Sequence, residues 1–131
     1  DEFHYRVNSR GFKIMMIPEM KAIYFVRDSY LKLFKQYFRY GLYKPLVLKK
    51  VSGSVRLRHL IPSAFVLYLA SFPLSFISSW WFAPLLLYIL LTFYISIGCR
   101  EKFGVKLLCI PVFPILHISY GSGFLLGLFK K

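Results

Sequence analysis

No Asp, Glu, Lys or Arg occurs at positions 59–99, a run of 41 residues. About 20 apolar residues carry one helix across roughly 30 Å of hydrocarbon. The run is therefore too long for one crossing and long enough for two. Its natural break is Ser78-Ser79-Trp80-Trp81, where serines turn the chain and tryptophans suit a membrane–water boundary. Spans are predicted at about 60–78 and 82–99. A third apolar segment, 107–129, is interrupted by Pro111, Pro114, Gly121, Gly123 and Gly127. A kinked helix, a re-entrant loop and an interfacial element all fit it. If it crosses, Lys130-Lys131 ends outside, against the positive-inside tendency. Gly123 and Gly127 form a small-xxx-small pair on which another helix could pack closely, although glycine is also ordinary in membrane helices.

The charge lies elsewhere. The chain has 18 Lys+Arg against 5 Asp+Glu, a net +13, yet 57% of its 131 residues are hydrophobic. A disordered basic tail would lack these aromatics, and one soluble core of this size could not hide so much apolar surface. Residues 1–58 hold 13 of the cations and 4 of the acids. Basic segments lie on both sides of the predicted hairpin, at Lys49-Lys50 to Arg58 and at Arg100 to Lys106, and its tip is uncharged. The positive-inside rule puts both basic segments in the cytoplasm and the Trp turn outside. Cys99 and Cys109 are too few for a disulfide scaffold. His4, His59 and His117 show no metal-ligand spacing, and a structural partner for His117 is favoured over a proton relay.

Residues 2–10 suit a short helix closed by Gly11. Strands are predicted at 12–17, ended by Pro18, and at 21–26. Helix, strand, turn and strand suit the last elements of an α/β domain. The chain opens on Asp1-Glu2, without Met or a secretory signal, and is read as a cut piece. Asp28 or Ser29 can cap a following helix. In it Leu31, Phe34, Phe38 and Leu42 form an apolar face, and Lys32, Lys35, Gln36, Arg39 and Tyr43 a basic one. Such a helix is expected to lie in the membrane interface and to end or bend at Pro45. Gln36 and Arg39, three residues apart, share a face, and Tyr40 follows. A guanidinium can bind diphosphate through two hydrogen bonds, an amide can bond hydroxyls, and a ring can stack on a sugar. By composition alone, a solvated basic face is the commoner outcome.

Gln-x-x-Arg-Tyr ahead of apolar spans resembles the Gln-x-x-Arg-Trp motif of membrane-bound family 2 glycosyltransferases. The run Leu31 to Gly41, with Gln36-Tyr37-Phe38-Arg39-Tyr40-Gly41, is similar to the non-processive branch of exopolysaccharide and succinoglycan type. So are Asp1-Glu2 followed by Arg6, the run Gly11-Phe12-Lys13-Ile14 with Pro18, and Leu116-His117-Ile118-Ser119-Tyr120-Gly121. The resemblance implies a mainly α membrane protein with three parts. Residues 1–27 would be the tail end of an α/β (GT-A-like) catalytic domain, 28–58 an amphipathic interfacial helix and basic linker, and 59–131 the transmembrane region. The whole enzyme would move a sugar from a nucleotide-sugar to a lipid-linked or growing glycan, at the cytoplasmic face of a multi-pass plasma-membrane protein.

The same resemblance implies that Gln36, Arg39 and Tyr40 bind substrate. The family's general base falls immediately upstream of Asp1, which leaves Asp1 as the catalytic candidate within this chain. A divalent metal, Mg or Mn, is expected in the full-length enzyme and not in this piece, which lacks the nucleotide-binding half and is expected to be inactive alone. Tyr40 stands where the family has Trp, which weighs against processive polymer stacking. Membrane lipids are expected partners and nucleic acid is not, because topology accounts for the charge. A small membrane adaptor or transporter subunit is the alternative, favoured if a start codon lies directly before Asp1. A peripheral module binding anionic lipid or nucleic acid through 1–58 is the third reading.

Overall fold

The computed structural model describes residues 2–50 and 59–130. Asp1, the basic linker 51–58 and Lys131 lie outside the described residues. Helix α1, Glu2–Ser9, ends as its sequence demands. Gly11 takes φ +80°, the left-handed conformation that glycine enters without penalty. Its N–H donates to Asn8 O at 3.0 Å, and that of Phe12 to Val7 O at 3.2 Å. These two bonds close the last turn.

The predicted strands at 12–17 and 21–26 are not found: no strand occurs among the described residues. A turn does separate the two segments, with Pro18 at its second position and Met20 N–H donating to Ile17 O at 3.2 Å. Neither segment gains a ladder, and Met16 and Ile23 are almost fully exposed. Strand character needs a partner as well as propensity, and a lone two-stranded hairpin is marginal.

Helix α2, Tyr30–Lys50, has Ser29 at its N-cap, whose Oγ accepts from Lys32 N–H at 3.4 Å. Of the two expected outcomes at Pro45, an end or a bend, the end is not found: the helix runs on to Lys50. The ring is fully buried, with Gly127 of a later helix set against it.

The first predicted span is not one helix. Helix α3 covers only Ile61–Ala70, about 15 Å at 1.5 Å per residue. Pro73, lacking an N–H, cannot bond Leu69 O, so the chain passes into tight 3-10 turns at Phe72–Phe76 and Ser79–Trp81. Trp81 locks this corner. Its ring stacks on Tyr68 at 4.6 Å, its Nε1 donates to Ser71 Oγ at 2.9 Å, and its carbonyl accepts from Tyr68 Oη. Trp80 points outward, 84% exposed. Helix α4, Phe82–Gly98, matches the second predicted span. Lys106 Nζ donates to Ile97 O at 2.7 Å, placing a cation on its C-terminal carbonyls. The third segment is helical throughout, as α5, Phe103–Cys109, and α6, Val112–Leu128, with a turn at Ile110-Pro111 between them.

Two stretches are long and apolar enough to cross a membrane, Ser79–Gly98 and Phe103–Leu128. They are the second and third apolar segments, where the sequence reading put its regular crossings in the first and second.

Helix α6 is the centre of the molecule, with α2 on one side and α3 on another. Glycine makes both contacts possible. A Cβ on Gly123 would overlap the carbonyl oxygen of Phe38, one on Gly127 that of Leu42, and one on Gly41 that of Tyr120. On the other side a Cβ on Gly121 would strike Pro62 O and come within 2.7 Å of Val66 Cγ2. The backbones therefore touch, which converts the small-xxx-small pattern into a close helix seam. Because Phe38 meets Gly123 and Leu42 meets Gly127, α2 and α6 run parallel. Tyr30 Oη donates to Leu108 O at 2.8 Å at one end of this seam, and Lys49 Nζ to Leu128 O at 3.5 Å at the other.

The polarity of the interior is inverted. Ser63, Thr92, Ser96 and Ser119 are buried, while Leu86, Leu87, Leu90 and Ile97 of α4 are more than half exposed. Small polar residues inside and large apolar ones outside is a pattern suited to lipid as solvent.

Candidate functional site

The amphipathic pattern of α2 sets the site. Phe34 and Phe38 stack at 6.3 Å on the half-buried side, while Lys32, Lys35, Arg39 and Tyr40 stay exposed. Leu31, assigned to the apolar face, is instead 64% exposed at the first turn.

Gln36, Arg39 and Tyr40 come together in one hollow of about 320 Å³, and Arg27, Lys32 and Lys35 complete its walls. Gln36 is the hub. Its Oε1 accepts from Arg27 Nε at 3.0 Å. Its Nε2 donates to Tyr40 Oη at 2.7 Å and lies 3.5 Å from Tyr24 Oη. Arginine can only donate, so the amide orientation is fixed, and Tyr40, accepting from Gln36, keeps its own proton to give. In the structure the Gln36 amide bonds Arg27 and Tyr40. Arg27 was missed. It sits nine positions before Gln36 in non-helical chain, so no helical periodicity points to it. The turn at Asp28-Ser29 brings it back.

Four cations line the hollow and one carboxylate stands beside it. Asp28 pairs with Lys32 at 2.8 Å, both largely exposed. The hydrogen bond from Lys32, then its charge, holds the Asp28 carboxyl below its ordinary range. Lys32 is thus partly neutralised, whereas no carboxylate among the described residues pairs with Arg39 or Lys35. No three His, Cys, Asp or Glu side chains cluster as a metal site among the described residues. Asp1 lies outside those residues.

A second hollow of about 710 Å³ shares Arg39 and Tyr40 as walls. Tyr43, Lys44 and Val47 extend it along α2, Tyr120 closes it from α6, and Phe3 and His59 reach it from α1 and the approach to α3. Tyr120 Oη lies 3.5 Å from His59 Nδ1, and its ring stacks with Phe124. His117 is placed apart from both hollows. Its Nδ1 lies 2.9 Å from Phe113 O and 3.2 Å from Tyr88 Oη, and its ring meets Phe65, tying α3, α4 and α6 together.

The chain is similar to a protein of polysaccharide synthesis. It is 28% identical, over 131 aligned residues, to the succinoglycan biosynthesis protein ExoA of Rhizobium meliloti (strain 1021). The alignment covers 94% of this chain and 38% of that relative, so the chain spans well under half of the relative's length. No protein-family model matches the chain, and no solved structure does.

Proposed function

We propose that this chain is the membrane part of a glycosyltransferase that moves a sugar from a nucleotide donor to a lipid-linked or growing glycan at the cytoplasmic face. The observation that carries the reading is the hollow in which Gln36, Arg39 and Tyr40 meet Arg27, on a helix joined through glycines to the apolar helix α6. The similarity to a succinoglycan biosynthesis protein supports it. Two guanidiniums suit a diphosphate, which each can grip through parallel N–H bonds. Tyr40, turned by Gln36, offers a proton to a phosphate or sugar oxygen. These groups bind and orient; deprotonation of the acceptor hydroxyl falls to a carboxylate outside the described residues. The test is incubation of membranes carrying the complete enzyme with radiolabelled nucleotide-sugars. Label is expected in the lipid-extractable or glycan fraction, and its absence with every donor would sink the reading.

The parallel seam also orients the site. Helix α2 runs beside α6 for most of its length and carries Lys32, Lys35, Arg39, Lys44 and Lys49. Lodging such charges in hydrocarbon costs about 2.5–3.5 kcal/mol each. The α2–α6 pair therefore lies along the interface, α2 among headgroups and α6 beneath it, while the hairpin of α3 and α4 enters the hydrocarbon. This arrangement removes the conflict over Lys130-Lys131, which then stays cytoplasmic. In a cysteine-free background, Lys102→Cys and Lys130→Cys are expected to label from the same face of sealed vesicles. Labelling from opposite faces would show that α6 crosses.

A further inference from the structure

The chain that leads into α2 is held against the basic hollow by side chains. Among the described residues, 13–28 carry one backbone–backbone hydrogen bond, from Met20 N–H to Ile17 O. Ile23, Phe25 and Val26 are at least three-quarters exposed. A segment with so few backbone bonds and so little burial opens at low cost. Its last residues are nevertheless tied to α2. Arg27 Nε donates to Gln36 Oε1 at 3.0 Å, Tyr24 Oη lies 3.5 Å from Gln36 Nε2, and Asp28 pairs with Lys32 at 2.8 Å. Behind these ties is a gap of about 870 Å³, bordered by Val26 and Ser29 on one side and by Val105 and Leu108 of α5 on the other, which gives the segment room to shift. Residues 21–28 are thus a strap at one wall of the basic hollow, and Arg27 is the strap's part of the lining.

Gln36 occupies the N–H on Nε of Arg27 and leaves those on both Nη atoms for a ligand. Arg27 and Arg39 line the same hollow from different elements, one from the strap and one from the helix. A ligand that reaches both joins the two elements. One phosphate is satisfied by the fork of one guanidinium, whereas two linked phosphates can engage both. We propose that a diphosphate bridges Arg27 and Arg39 and so fastens the strap over the hollow, with Gln36 as the positioning residue that presents Arg27. This assignment rests on the glycosyl-transfer reading and adds a moving part to it. The bound diphosphate closes its own site, and the strap must lift before the diphosphate leaves. Holding Arg27 in place beforehand reduces the freedom lost on closing. The same bridge favours two phosphates over one, because a lone phosphate leaves the strap unfastened.

The test is limited chymotrypsin digestion of the chain in phosphatidylcholine nanodiscs. Cleavage after Tyr24 and Phe25, within the strap, is followed by mass spectrometry against cleavage after Phe12, outside it. Cleavage of this kind tracks the population of the lifted strap. Inorganic pyrophosphate is expected to slow cleavage at Tyr24 and Phe25 about tenfold, the worth of one charged hydrogen-bonded contact, and to leave Phe12 as it was. Inorganic phosphate is expected to have little effect. Arg39→Gln leaves the ties of the strap intact, so the rate without ligand should stand while the protection by pyrophosphate is lost. Arg27→Gln is expected to speed cleavage without ligand and to abolish protection, and Arg27→Lys should restore part of it. No protection in the unaltered chain, protection that persists in Arg39→Gln, protection equal at Phe12, or full protection by inorganic phosphate would overturn the bridge. Protection in phosphatidylglycerol nanodiscs without pyrophosphate would also overturn it, by giving the hollow to lipid headgroups. In the complete enzyme, Arg27→Gln is expected to raise the donor KM about tenfold and leave the acceptor KM in place. Transfer that persists with an unmoved donor KM defeats the strap alone; absence of transfer in the unaltered enzyme defeats the broader reading.

Discussion

Replacing Gly123 by alanine is expected to separate α2 from α6 and to unfold the site with them. The added Cβ would overlap the carbonyl oxygen of Phe38 and sit 3.0 Å from Leu42 N. These are backbone atoms of a helix and cannot rotate aside as a side chain can. The helices must move apart, and Gly41 and Gly127 lose their contacts in the same motion, because all three glycines share one seam. Overpacking of this kind typically costs about 1–3 kcal/mol, and a displaced seam brings the cost to the upper end. That is a large share of the about 5–15 kcal/mol that holds a folded protein together. The expected readings are a melting temperature lowered by several degrees in detergent or nanodiscs and faster proteolysis within α2. Gly104→Ala supplies the comparison. That glycine is helical too, yet nothing lies within 4 Å of its would-be Cβ, so the change is expected to be neutral or stabilising by up to about 1 kcal/mol. Equal behaviour of the two variants would refute the seam.

Removal of the Arg39 guanidinium is expected to reduce kcat/KM for sugar transfer by about 100-fold in the complete enzyme. Hydrogen bonds to charged groups contribute about 1.5–3 kcal/mol, and each 1.4 kcal/mol is tenfold. Arg39→Lys keeps the charge and loses the fork, so a loss nearer tenfold is expected. Gln36→Leu is the informative companion. It removes no charge, but it releases Arg27 and leaves Tyr40 without its donor, so KM for the donor is expected to rise with the fold intact. Arg39 is exposed, and its replacement should leave the melting temperature where it was. Unchanged turnover and KM in Arg39→Ala would end the role given to this residue.

Much of this was legible in the order of residues, because much of it is local. Gly11 ends α1, Ser29 begins α2, and the charge-free run marks the apolar hairpin, each through chemistry confined to a few neighbouring positions. The meeting of Gln36, Arg39 and Tyr40 follows from helical spacing alone. The failures have a common cause in partners far along the chain. The segments 12–17 and 21–26 have strand composition, but a ladder requires another strand. Pro45 lies inside a helix, buried against Gly127 from 82 positions away. Pro73 cut the first span short where hydropathy, blind to a missing N–H, saw an unbroken run. Arg27 reached the site through the turn at Asp28-Ser29, and no periodicity describes such a turn. The Gly123–Gly127 spacing announced close approach without naming α2 as the partner.

The seam also sets a schedule. Lys49 and Leu128, which meet at one end of it, are 79 positions apart, and the hairpin of α3 and α4 is threaded between them. Helix α2 is translated long before α6 exists, so its greasy flank must be sheltered by lipid or a chaperone until α6 emerges. The larger of the two hollows cannot close before then, because Tyr120 arrives with that helix. A chain cut off before α6 would lack both Tyr120 and the α6 glycines of the seam, so α2 would have no partner and the larger hollow no wall on that side.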